Sequence, residues 1–120
     1  MPKGNKDLAD RLSRYREIKL TVVGRKSGRP VSRPVWFVFE GDTLYLLPVQ
    51  GSDTQWYKNM LKNPKTWIDA RGAVEGFEAV PITDMKEVAS VVEKFREKYG
   101  AADVKKYYSK FDVAVLVHVR

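Results

Sequence analysis

Gly24-Arg25-Lys26-Ser27-Gly28-Arg29 sets three cations and a hydroxyl around two glycines, with Arg33 just beyond. The glycines free the backbone to turn sharply and to approach a ligand closely. Successive amides in such a turn can form an anion-binding concavity, to which cationic side chains add direct charge. The stretch therefore reads as an anion cradle, best suited to phosphate. The competing reading for Arg25, Lys26 and Arg29 is a solvated hairpin tip, and for Ser27 a local cap made by its hydroxyl.

Composition narrows the chemistry such a cradle can serve. A chain of 120 residues is long enough for one domain with one core, and a net charge of +7 points to anionic partners. With no cysteine and one histidine, disulfides, thiolate nucleophiles and the familiar zinc sites are excluded, and any hydrolytic triad would rest on His118 alone. His118 lies in the apolar run Val113–Val119 and is expected to be structural. An enzyme built from these residues would rely on a bound cofactor for the hard chemistry. There is no apolar signal core and no apolar run of membrane-spanning length, so a soluble cytoplasmic protein is the expectation.

The elements that must position the cradle follow from periodicity. Leu8, Leu12 and Tyr15 mark an amphipathic helix over Asn5–Arg16, which either covers one end of the core or makes a peripheral membrane contact through Arg11, Arg14 and Arg16. Ile18, Leu20 and Val22 begin a first strand. Val31–Glu40 reads as a second, with Val35, Phe37 and Phe39 on one face and Trp36 and Val38 on the other. Pro34 marks an edge or a bulge near the mouth of the site. Glu40-Gly41-Asp42 turns the chain into a third strand, Thr43–Val49. Gly51-Ser52-Asp53 opens a helix capped by Ser52 or Asp53, with Trp56, Tyr57, Met60 and Leu61 inward and Asn63-Pro64 as its stop. Lys65–Arg71 and Val74–Val80 pair around Gly72. Asp84-Met85-Lys86-Glu87 has capping-box spacing before a helix with Val88, Val91, Val92, Phe95 and Tyr99 on one stripe, stopped by Gly100. A further helix over Ala102–Lys110 and a strand over Asp112–Val119 complete a mainly β domain of about six antiparallel strands with flanking helices, closed into a small barrel.

Two motifs carry a resemblance. Leu20-Thr21, Gly24-Arg25-Lys26-Ser27-Gly28 and Arg33-Pro34-Val35-Trp36-Phe37, followed by Trp56-Tyr57-Lys58-Asn59-Met60-Leu61-Lys62-Asn63-Pro64, resemble the deazaflavin-dependent nitroreductase-like proteins. That family belongs to the split β-barrel flavin-binding superfamily, with its FMN-binding and pyridoxamine-phosphate-oxidase-like branches. The resemblance covers roughly residues 15–120. It implies a split barrel that binds coenzyme F420, an 8-hydroxy-5-deazaflavin with a phosphodiester and an oligoglutamate tail. It also implies hydride transfer from the reduced coenzyme to a small organic acceptor: a quinone, a nitro compound or an activated alkene.

Residue by residue, the resemblance assigns Arg25, Lys26, Ser27 and Gly28 to the phosphate and tail of the coenzyme. It sets Arg33, Pro34 and Trp36 against the ring system and uses Trp56 to close the pocket, although both tryptophans equally suit plain core packing. In the segment Pro48-Val49-Gln50-Gly51-Ser52-Asp53, Gln50 stands where family members carry a lysine near the coenzyme, and it offers hydrogen bonds without charge. Tyr107, Tyr108 and Phe111 fall where substrate-facing residues are expected, with Tyr107 and Tyr108 as candidate proton donors. FMN on the same barrel is the nearest alternative. A non-catalytic coenzyme carrier or a nucleic-acid-binding barrel, the latter with Trp36 or Tyr57 stacking on bases, comes from another class. No nucleic acid is expected, and both monomer and homodimer are open.

Overall fold

Alternate residues of the strand Glu17–Val23 (β1) are buried, namely Ile18, Leu20 and Val22, as the two-residue side-chain period requires. The strands Thr43–Leu46 and Lys65–Ala70 alternate in the same way in this computed structural model, which describes residues 3–119, with side chains from Asp7 onward. β1 pairs with Pro30–Glu40 (β2), which pairs with Thr43–Leu46 (β3). Lys65–Ala70 (β4) pairs with Ala73–Ile82 (β5), and Ala114–His118 (β6) lies between β3 and β5. With β4 returning to β1, the six antiparallel strands close a barrel in the order β1-β2-β3-β6-β5-β4.

Two apolar clusters hold the barrel from inside and outside. The inner one gathers Leu20, Phe37, Leu44, Ile68, Val115 and Val117 from the strands. Leu8 and Leu12 of the helix Lys3–Leu12 (α1) plug one end of it, and Trp56, Tyr57 and Met60 of the helix Gln55–Lys62 (α2) pack into it as well. The outer cluster lies under Met85–Tyr99 (α3) and Ala101–Tyr107 (α4), where Val88, Val91, Phe95 and Val104 meet Val38 and Ala114, with Trp36 packed alongside. β2 is thus covered on both faces, as its two apolar registers predict.

Several local expectations are corrected. α1 ends at Leu12 rather than Arg16, because the chain turns at Ser13, where amides 13 to 15 bond back to Ala9 and Arg11, and Tyr15 goes instead beneath the Arg71 guanidinium, 4.6 Å from its ring centre. With Leu8 and Leu12 buried, the face of α1 that remains outward is the charged one. The third strand stops at Leu46 rather than Val49, the helix expected to Lys110 ends at Tyr107, and the last strand starts at Ala114. Neither Ser52 nor Asp53 caps α2; both belong to a short 3-10 turn and their side chains bind Asp112 and Lys110, leaving Thr54 at the cap. Leu61, expected inward, is 54% exposed, and Asn59 is buried in its stead. The α3 start agrees in detail: Asp84 accepts the Glu87 amide at 3.1 Å, and Gly100 ends the helix at φ +95°.

One half of β2 stands apart. Residues Pro30–Trp36 pair with β1 alone, and pairing with β3 starts only at Phe37. Pro34 therefore sits on an open strand edge, where its missing amide leaves no ladder bond unmade. That opening is the mouth of the cleft described below. No helix among the described residues is long and apolar enough to cross a membrane.

Candidate functional site

The turn between β1 and β2 is tightly closed. Gly24 N–H donates to Arg29 O at 2.8 Å and Gly28 N–H to Gly24 O at 2.9 Å. Arg29 N–H donates to Ser27 Oγ at 3.1 Å, so the serine does cap its own turn. Gly28 holds φ +73°, and a side chain at Gly24 would bring its Cβ to 2.7 Å from Ser27 Oγ, so both glycines are required by the geometry.

α2 fixes this turn from the side. The backbone N–H and one guanidinium nitrogen of Arg25 both donate to Asn59 Oδ1, at 3.0 and 2.8 Å. Another guanidinium nitrogen donates to Gln55 Oε1 at 2.8 Å, and Lys62 Nζ donates to Arg25 O at 3.2 Å. Arg25 is therefore half-buried and held by amide oxygens rather than a carboxylate, so its positive charge is not neutralised. Lys26 and Arg29 are exposed, with no ion-pair partner among the described residues. A hollow of about 250 Å³ opens here, lined by Gly24–Ser27, Gln55 and Asn59.

Beside it lies a larger cleft of about 550 Å³. Its walls are Arg33, Pro34 and Trp36 from β2, Trp56 from α2, and Tyr107 and Tyr108 from the end of α4, with Glu17 at one rim. Gln55 lines both the cleft and the hollow, so the two are contiguous at that residue. Trp36 is stacked on Tyr99, with ring centres 4.2 Å apart and planes 6° from parallel, and meets the edge of Tyr107 at 5.6 Å. Trp36 and Trp56 thus serve core and cleft together, each burying one part and presenting another. Burial pushes the Tyr108 hydroxyl well above the usual phenol range, so it stays a hydrogen-bond donor at any physiological pH. Tyr107 is half-exposed at the mouth.

The rim is fastened by the segment after α4. Ser109 N–H donates to Val49 O at 2.9 Å, and Gln50 forms a parallel bridge with Lys110. Asp112 accepts from Ser52 N and Oγ at 2.9 and 2.6 Å, and Lys110 pairs with Asp53 at 3.2 Å. Burial works to raise the Asp112 carboxyl, but the two Ser52 hydrogen bonds and the Lys110 charge outweigh it and hold the group below its ordinary value. Gly51, at φ +56°, passes so close that a Cβ would lie 2.2 Å from Asp112 Oδ1.

The structure gathers Arg33, Pro34, Trp36, Trp56, Tyr107 and Tyr108 around the cleft, and Arg25, Lys26 and Ser27 around the adjoining hollow, with Gly28 next to it in the turn. Gln50 is exposed, its backbone N–H donating to Thr54 Oγ1 at 2.8 Å, and it does not line the cleft; the nearby Val49 and Thr54 do. Phe111 stacks on Tyr108 behind the wall. His118 is exposed at the end of β6, opposite Thr43. Sequence reasoning missed Gln55, Asn59, Glu17 and Tyr99. Only Asn59 had a signal: a polar residue on the inward face of an amphipathic helix, within a motif already singled out.

A flat apolar cleft of this size joined to a cationic, amide-lined hollow suits a ligand with an aromatic ring system at one end and an anionic chain at the other. The profile of the F420H(2)-dependent quinone reductase family matches residues 3–120. Among solved structures, one described as an F420-H2 dependent reductase (FDR-A) shares 20% identity over 85% of this chain and 93% of its own, with a TM-score of 0.66. The heme storage protein HutZ from Vibrio cholerae shares 15% over 94% of this chain and 87% of its own, with a TM-score of 0.69. A structure described as a domain-swapped dimer shares 20% over 85% of this chain and 79% of its own, with a TM-score of 0.67. At these identities the solved structures establish the split-barrel fold. The family match spans nearly the whole chain, so this protein belongs to the F420H(2)-dependent quinone reductase family and is an F420-dependent oxidoreductase.

Proposed function

We propose that the acceptor is a flat, electrophilic organic molecule, a quinone in the first place and a nitro compound or activated alkene by the same chemistry, held in the cleft against the wall that Trp36, Tyr107 and Tyr108 form together. The observation that carries this reading is the contiguity of the aromatic cleft with the cationic hollow at Gln55. Lys26, the Ser27 hydroxyl and Arg29 would hold the phosphate and tail, with Gly28 shaping the turn through its bond to Gly24 and Arg25 held in place by Asn59 as a fixed positive charge. Arg33, Pro34, Trp36 and Trp56 would set the ring plane. When bound, reduced F420 supplies a hydride.

The chain's own contribution is orientation and the exclusion of water. A quinone that gains a hydride must also gain a proton to become the hydroquinone. Tyr107, at the mouth, and Tyr108, kept protonated by burial, both line the cleft and would donate to the developing oxyanion. Gln50 would act through the Val49–Thr54 segment rather than by contact. A cytoplasmic location and a homodimer belong to the same proposal; the structure described as a domain-swapped dimer supports the latter.

The nucleic-acid reading fares less well, since Tyr57 is buried and Trp36, with one face on Tyr99, shows its remaining part only inside the cleft. The test is titration of stripped protein with F420 and with FMN at two salt concentrations, followed by turnover of the reduced coenzyme with menadione, a nitroimidazole and a cyclohexenone. Tight, salt-sensitive F420 binding with menadione the best acceptor supports the proposal; turnover confined to the nitro compound or the enone would replace the quinone.

A further inference from the structure

β2 changes partner between two consecutive residues. Trp36 is the last residue paired with β1, opposite Glu17, and Phe37 is the first paired with β3, opposite Leu46. The backbone groups of Phe37 on the side away from β3 are thereby left without a strand. Tyr99, the last residue of α3, takes that place: its hydroxyl accepts Phe37 N–H at 3.0 Å and lies 2.8 Å from Phe37 O and 2.6 Å from Arg16 O. Its single proton is shared between those two carbonyls, and Lys98 Nζ adds a second donor to Phe37 O at 2.7 Å. The ring of the same tyrosine is the surface on which Trp36 stacks. One side chain therefore grips Trp36 twice, through the neighbouring backbone and face to face.

We infer that Tyr99 is a positioning residue, which sets the pose of Trp36 and through it the affinity of the cleft for the deazaflavin ring. This rests on the reading that the cleft holds that ring. Tyr99 does not line the cleft, and in sequence it lies far from both motifs. An indole stacked at 4.2 Å and tied at its backbone loses little freedom when a ligand arrives, whereas an unsupported one would have to be ordered by the ligand.

The test is a pair of double-mutant cycles, read as the dissociation constant of oxidised F420 with thermal melts run alongside. Tyr99→Leu is expected to weaken binding about tenfold and Tyr99→Phe, which keeps the ring and loses the hydroxyl, about threefold. In a Trp36→Ala background both losses should vanish, because the residue through which Tyr99 acts is gone. A merely structural tyrosine would lower the melting temperature in both backgrounds and leave its effect on affinity unchanged by Trp36. Losses that persist in the Trp36→Ala background, or a Tyr99→Leu variant that binds as well as wild type, overturn the inference. The Tyr99→Phe cycle decides the matter if Tyr99→Leu does not fold. Wild-type protein that fails to bind F420 at all overturns instead the reading of the cleft.

Discussion

The cationic turn and the aromatic wall are anchored in opposite ways. The turn is a local structure, closed by bonds among Gly24, Ser27, Gly28 and Arg29, and steadied by amide oxygens of α2. The wall at Trp36 is held by residues more than sixty positions away, at the end of α3. A polar ligand end can be met by a short motif whose backbone bonds close the turn and whose cationic side chains are left to face the ligand. A flat apolar surface has no hydrogen bonds of its own to fix it and must be braced from behind.

The largest expected effect breaks the turn. Asn59→Leu removes the acceptor for both Arg25 donors and leaves a half-buried N–H unpaired, which should weaken F420 binding about a hundredfold and cost about 2 kcal/mol of stability, read by titration and urea unfolding. Next comes the rim beside the wall: Gly51→Ala combines a positive φ with a Cβ driven into Asp112, and a loss of about 2 kcal/mol in unfolding free energy is expected. A result within 0.5 kcal/mol, on the order of an ordinary surface change, would show that the rim yields freely.

The wall also has a pH signature. Burial, with help from Arg16, lowers the Lys98 ammonium to about 8, against 10.5 in an unfolded chain. Between these values the unfolded chain holds the extra proton, so stability should rise with pH from about 8 toward 10. Above the ordinary tyrosine value of 10.0 it should fall again, because burial pushes Tyr99 up to about 12 and Tyr108 higher still, while their unfolded counterparts ionise. Lys98 is half-exposed, and solvent screening reduces the rising limb to about 1 kcal/mol. Denaturant midpoints across pH 7 to 10, on the order of the Lys98 titration range, should show the rise in wild type and none in Lys98→Met. The smallest effect probes the exposed edge of the turn: Lys26→Ala should weaken F420 binding about threefold at low salt and hardly at all at high salt. Equal affinity at both would remove the lysine from the site.

The sheet was largely legible because its strands bury alternate residues, and the turn was legible because glycines and cations lie next to one another. Boundaries were less so: Thr43–Val49 shortened where Leu47 leaves β3 to join the outer cluster, a tertiary preference, while Pro48, with no amide to give the ladder, was a local mark of the stop. Tyr99 read as one more member of an apolar helical stripe, which it is, and its hydroxyl's work on Phe37 depends on a partner switch that periodicity does not express. Asp112 likewise read as the start of a strand, while its role is to receive Ser52 from across the rim.

β6 closes the barrel by entering between β3 and β5, pairing residues 43–46 with 115–118 on one side and 79–82 with 114–117 on the other. No earlier strand can fill that gap, so the ring of hydrogen bonds is completed by the strand that comes last in the order of the chain. Closure consequently rests on pairing between residues far apart in the chain, of the kind that slows folding. Until it happens β3 and β5 present two bare edges, each open to pairing with another molecule's strand.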